Sequence, residues 1–205
     1  MSTLLKTARA LLSDSRGSAA EFALILPLAV LFLVGLIDAG RYAYTFNQGE
    51  KATQIGARWT VVTNPITPEL ATQSYTSVGG VTLTQGDRIP AAALGLITCT
   101  NLACVCTTPP CTDNAPTLST PAFNALVNRM TEIMPSITPA NLVVEYRGSG
   151  LGYAGNPDGM DIAPLVTVRL VDMDFTAIIL LANTVGLPDF SYTLTMEDGI
   201  GDGSN

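Results

Sequence analysis

The pattern of apolar and polar positions divides this chain sharply. Residues 22–37 are uncharged and apolar apart from Pro27 and Gly35, and Glu21 and Asp38 bound them. With Ala19 and Ala20 the run reaches about 18 residues, the short end of what crosses a bilayer core as a helix. Beyond it, Tyr44, Ala52, Ile55, Trp59 and Val62 recur at helical spacings, and Asn64-Pro65 ends the pattern. One helix over residues 18–62 would be about 65–70 Å long at about 1.5 Å per residue. Its apolar face outside the membrane needs a cover, and the C-terminal residues are the candidate.

Those residues read as α+β. Ser119-Thr120-Pro121 is a helix start, with a hydroxyl N-cap and proline at the first helical position. Phe123, Leu126, Val127, Met130, Ile133 and Met134 then form an amphipathic stripe that Pro135 stops, and core packing explains it. Three alternating segments follow. Leu142, Val144 and Tyr146 share one face, as do Val166, Val168 and Leu170, and Phe190, Tyr192, Leu194 and Met196. One-sided alternation predicts an antiparallel sheet with one covered face. The helix over 121–134, joined by the long N-terminal helix, would cover it. Asp174 reads as the N-cap of a short helix through Phe175 and Leu181, too short to span a bilayer.

Residues 64–118 are rich in Thr, Pro, Gly, Ser and Ala and carry no long period, which predicts a loop-rich insertion. A short edge strand at 81–84 and a turn or two of helix at 91–97 are the structure expected there. The insertion holds all four cysteines, Cys99, Cys104, Cys106 and Cys111. In a segment outside the cytoplasm they predict two disulfides. Either Cys99–Cys104 with Cys106–Cys111, or Cys99–Cys106 with Cys104–Cys111, fits; a Cys104–Cys106 bond would be strained. A four-thiolate zinc site is the competing reading, but the usual C-x₂-C pair is missing.

Charge sets the topology expected. Lys6, Arg9 and Arg16 against Asp14 give residues 1–20 a net +2, leaving −9 for the rest of a chain whose total is −7. Positive charge before the apolar run predicts the N-terminus in the cytoplasm and the C-terminal domain outside. A cleaved signal peptide would need small residues after the run, and Asp38 stands in the way. A buried core helix would need more protein around it than the remaining chain supplies. No basic patch follows the first segment, so nucleic-acid binding is not expected. The chain has no histidine. That removes Ser-His-Asp and Cys-His chemistry and the imidazole metal ligands, and no enzyme activity, cofactor or metal is expected.

Weaker signals yield to simpler accounts. Gly148-x-Gly150-x-Gly152 lacks a following helix and Gly-Lys-Ser/Thr, and reads as a strand connection and not a phosphate loop. Asn156, Asp158 and Asp161 lack the spacing and closing glutamate of a calcium loop. A carboxylate at the edge of a membrane segment needs a partner, and Glu21 is such a group.

Residues 16–27, reading RGSAAEFALILP, resemble the start of TadE-type proteins of the Tad (Flp) pilus system. Asp38-Ala39-Gly40-Arg41 and Gly56-Ala57-Arg58 resemble a further signature of that family. Residues 86–91 with Ile97-Thr98-Cys99, residues 141–155, residues 163–168 and Glu197-Asp198-Gly199 resemble a cysteine-bearing subgroup. The resemblance implies a pilin-like fold and a minor pilin or pseudopilin in the inner membrane. It also implies cleavage between Gly17 and Ser18 by a prepilin peptidase. Glu21 would then pair with the new amino terminus of a neighbouring subunit, with Phe22 in the helix contact and Pro27 loosening the helix. Three residues separate Gly17 from Glu21, where the family usually has four. Other pilins, the Tad inner-membrane machinery, the peptidase and membrane lipid are the implied partners, in assembly, adhesion or secretion. The organisation expected is a leader at 1–17, the helix and its extension at 18–63, the insertion at 64–118, the α+β domain at 119–198 and a flexible tail at 199–205.

Overall fold

A computed structural model describes residues 15–76, 83–157, 159–178 and 184–196. One helix, α1, runs unbroken over Ser15–Thr60 with Pro27 inside it. The chain forms two compact units, and their boundary falls within this helix. The first comprises Met1–Tyr44 and Thr176–Val185, the second Thr45–Phe175 and Gly186–Asn205.

The second unit is built on a five-stranded antiparallel sheet. Its strands are β1 (Leu96–Cys99), β2 (Cys104–Thr108), β3 (Leu142–Arg147), β4 (Leu165–Leu170) and β7 (Phe190–Thr195), in the order β2-β1-β3-β4-β7. The register stacks apolar side chains across strands: Ile97 opposite Tyr146, Tyr146 opposite Val166, Val144 opposite Val168, and Leu170 opposite Phe190. All are buried. The other face is polar. Arg169 bonds Glu145 at 3.0 Å there, and the hydroxyls of Thr167 and Thr193 meet at 2.8 Å. This is the sheet with one covered face that the alternation predicts.

Helix α3 (Thr120–Thr131) supplies part of the cover through Phe123, Leu126, Val127 and Met130. Ser119 holds the N-cap position, but its hydroxyl makes no capping bond. Its carbonyl accepts from the Phe123 amide and its amide donates to Ile66. A short helix, α2 (Glu69–Thr72), lies near the start of the insertion.

The rest of the cover is α1, by a face that shares only Ala52 with the expected one. Tyr44 is exposed, and Ile55, Trp59 and Val62 are only half-buried. The buried stripe is Gly49, Ala52, Thr53, Gly56, Ala57 and Thr60, continued by Val61 just past the helix end, spaced by alternating threes and ones. It consists almost entirely of small residues, so the helix backbone comes close to its neighbours. A methyl added at Gly49 would lie 2.5 Å from the Phe190 ring, and one at Gly56 would lie 2.7 Å from the Met130 sulfur. Phe46 meets the same Phe190 ring edge-on at 5.2 Å. Thr53 and Thr60 return their hydroxyls to the carbonyls of Glu50 and Gly56, so their buried oxygens are satisfied within the helix.

The insertion is more ordered than its composition suggests. It contributes β1 and β2, and β1 lies between β2 and β3 inside the sheet. Of the edge strand expected at 81–84, residues 81–82 lie outside the described residues, and Leu83 and Thr84 are not in a strand. The helix expected at 91–97 is one 3₁₀ turn, Ala91–Ala93, before β1. Asp174 does not cap a helix. Asp174–Thr176 is a strand, β5, paired with β6 (Thr184–Gly186) in a separate ribbon, and Leu181 lies outside the described residues. Met173, Phe175 and Ala177 are buried in alternation with exposed Asp174, Thr176 and Ile178, and that period of two defeats the helix.

Glu69 ties the segment before α3 to α2. It accepts from the Thr67 hydroxyl and from both the amide and the hydroxyl of Thr117. Partial burial opposes its ionisation, but these bonds outweigh it and hold the carboxyl below its usual 4.5. A carboxylate lowered by folding adds stability above its unfolded value that is lost as pH falls through the folded one. The stability gap between the native chain and Glu69→Gln should therefore shrink as pH falls below 4.5, as read by urea unfolding in detergent. Gly49→Ala gains about 1 kcal/mol of helix propensity yet should lower stability by a net ~1–3 kcal/mol, because its methyl overpacks against Phe190. Unchanged or raised stability would refute the close approach.

Candidate subunit and membrane interface

Within the first unit, α1 presents apolar side chains on every side. Phe22 is 64% exposed and Leu24 80%, and Leu28, Phe32 and Leu36 are exposed as well. A helix apolar all round belongs in lipid or among other helices. This one is long and apolar enough to cross a membrane. Its uncharged stretch of residues 22–37 is about 24 Å long at 1.5 Å per residue.

The site residues expected at its start lie on one helical segment. Gly17 and Ser18 are in the first turn of α1, and Glu21 follows, exposed to solvent. Pro27 has no amide to offer the Ala23 carbonyl, which leaves that acceptor to a neighbour or to a local adjustment.

Asp38 closes the apolar run and has partners that the sequence alone could not give. Its side chain is buried. One carboxylate oxygen accepts from the Arg41 guanidinium at 3.0 Å, and the other from the backbone amide of Ile178 at 2.8 Å. The i, i+3 spacing to Arg41 is legible in the sequence; the amide 140 positions away is not.

The cysteines sit on the β1–β2 hairpin. Cys99 and Cys104 are directly opposed across the strands and bonded, and Cys106 is bonded to Cys111. This is one of the two pairings the spacing leaves open, and it leaves no thiolate for zinc. At the hairpin tip Leu102 is 84% exposed. Each bond closes a short loop, which in the chain-entropy account is worth about 2 kcal/mol. The double change Cys106→Ser, Cys111→Ser should cost about that much, measured by urea unfolding of the full chain.

Asp161, one of the calcium candidates, has a structural task. Buried, it accepts from the amides of Tyr75, Gly155 and Asn156 at 2.8–2.9 Å and so fixes the loop before β4. Asp158 lies outside the described residues. The Gly148–Gly152 segment connects β3 toward β4 and opens no helix.

No curated protein and no solved structure matches the chain. A family model does: the one described as TadE-like protein matches residues 17–58. The match begins at Gly17 and ends at Arg58, so it takes in nearly all of α1, from the apolar run through Asp38 and Arg41 to the small-residue stripe that seals the sheet. Over that helix the chain is TadE-like.

Proposed function

We propose that the chain is a minor pilin or pseudopilin of the Tad pilus system, acting through packing of α1 on the helices of other pilins. The TadE-like domain associates it with that system. The observation that carries the finer reading is the exposed, wholly apolar surface over residues 22–37, opened by a single acid, Glu21. Such a helix can be held by lipid before assembly and by sister helices after it. A carboxylate at its edge would then meet a cationic partner, and each would relieve the other's burial. We place the N-terminus in the cytoplasm, because Lys6, Arg9 and Arg16 precede the run, and the disulfide-bearing unit on the oxidising side. The role is structural and not catalytic, since a chain without histidine lacks the usual general base.

The exposed Leu102 at the disulfide-closed hairpin tip favours one other reading, a membrane-tethered binding module outside any filament. Glu21→Gln separates the two. Under the assembly reading, filaments should fall at least about tenfold while the membrane level of the protein is unchanged, since an unpaired partner charge left in apolar surroundings costs several kcal/mol. Filaments at native abundance would refute assembly through Glu21 and leave the tether. Mass spectrometry of the membrane-extracted chain tests the leader: loss of residues 1–17 is the expected result.

A further inference from the structure

The partners of Asp38 point to a second contact with the membrane. Asp38 is the first charged residue after the apolar run, so it marks where α1 leaves the hydrocarbon. The uncharged stretch of about 24 Å is shorter than a typical core of about 30 Å. A span that short draws the lipid boundary in toward its ends. Whatever Asp38 holds is therefore held at lipid level. What it holds is the chain at Ile178: the Ile178 amide donates to its carboxylate at 2.8 Å, and both residues belong to the same compact unit.

The strand leading there changes character as it approaches. Its exposed row reads Asp174, Thr176, Ile178, polar until the residue beside Asp38 and then apolar, with Ile178 52% exposed. A branched apolar side chain that stands free beside the mouth of a membrane helix has an obvious solvent in the bilayer. A backbone amide at that depth needs an acceptor, since lipid offers none, and the Asp38 carboxylate supplies it. Arg41 pairs with the other oxygen, so the carboxylate itself is matched. The sequence after Ile178 runs Ile179-Leu180-Leu181-Ala182, which lies outside the described residues and adds no charge.

We propose that Ile178, clamped through its amide by Asp38, is a second membrane contact, seated among the lipid headgroups and upper acyl chains beside α1. The proposal rests on the reading of α1 as a membrane span. It adds a side chain distant in sequence to the membrane-embedded surface, and with it a reason for an acid three residues before an arginine at the end of the run.

Fluorescence tests it in the full chain. Trp59 is the only tryptophan, so Trp59→Phe with Ile178→Trp places the sole emitter at the site. In vesicles of phosphatidylethanolamine and phosphatidylglycerol, lipids brominated on the upper acyl chain should cut its emission by about twofold or more, and aqueous iodide should have little effect. Strong iodide quenching with none by bromine overturns the proposal. Adding Asp38→Ala should remove at least about half of the bromine quenching, and undiminished quenching would overturn the clamp. Should Trp59→Phe disturb folding, a benzophenone side chain in place of Ile178 in the otherwise native chain gives the same reading. Lipid adducts on illumination are then expected, and their absence overturns the contact. Carbonate extraction keeps the two ideas apart. A chain released from the vesicles refutes the span itself, whereas a retained chain without quenching refutes only the contact at Ile178.

Discussion

A sheet that is polar on one face must have its other face sealed, and here the seal depends on how near a helix can come. Ile97, Val144, Tyr146, Val166, Val168, Leu170 and Phe190 present a continuous apolar surface. Large side chains on α1 would hold the helix axis away from that surface and leave voids, and voids in a core are costly. Glycine at 49 and 56 and alanine at 52 and 57 let the backbone itself act as the packing surface, while Phe190 and Met130 fill the space that their absent side chains leave. The bulk needed for the core thus comes from the sheet and α3, and α1 supplies proximity. The threonines of the stripe fit the same scheme, because their hydroxyls bond back to α1 and their methyl groups are left for packing.

The same helix meets the opposite demand earlier in its length. Over residues 22–37 the large side chains are on the outside and point in all directions, as suits a surface that must lie in lipid or against other helices. Between the two regimes stand Asp38 and Arg41. A charge there ends the apolar stretch, and the ion pair between them, one turn apart, would lower the cost of putting either near lipid. The TadE-like match spans both regimes, from Gly17 to Arg58.

Much of this was legible in the pattern of residues, and the failures share a cause. The apolar run follows from its unbroken composition, and the continuous helix, the α3 stripe, β3, β4, β7 and the one-sided sheet from periodicity in bulky apolar residues. The cysteine spacing narrowed the pairing to two and could go no further, because both close loops of reasonable size. What was missed lacks bulk or is non-local. The sealing face of α1 is made of glycine, alanine and threonine, and a search for large apolar residues finds Ile55, Trp59 and Val62 instead. Strand β1 is four residues long inside a threonine-rich stretch, and it pairs with β3 more than 40 positions away. Strand β5 reads as a helix in the sequence because Asp174 resembles a cap. Its alternation of Met173, Phe175 and Ala177 with polar neighbours is short, and the apolar residues after it blur the period.

For the site, the sequence offered residues and the fold offered relations. Glu21, Pro27 and the start of the helix were identified as a string of letters, and the structure adds that this string lies on one exposed apolar rod. Asp38 shows the difference most clearly. In the sequence it is a charge that spoils a signal-peptide site and begins a short signature with Arg41. In the fold it is a buried carboxylate with a guanidinium on one oxygen and a distant backbone amide on the other. Buried carboxylates need partners. The Ile178 donor is backbone, so a side-chain substitution at 178 leaves it in place, whereas loss of the acid at 38 removes its acceptor.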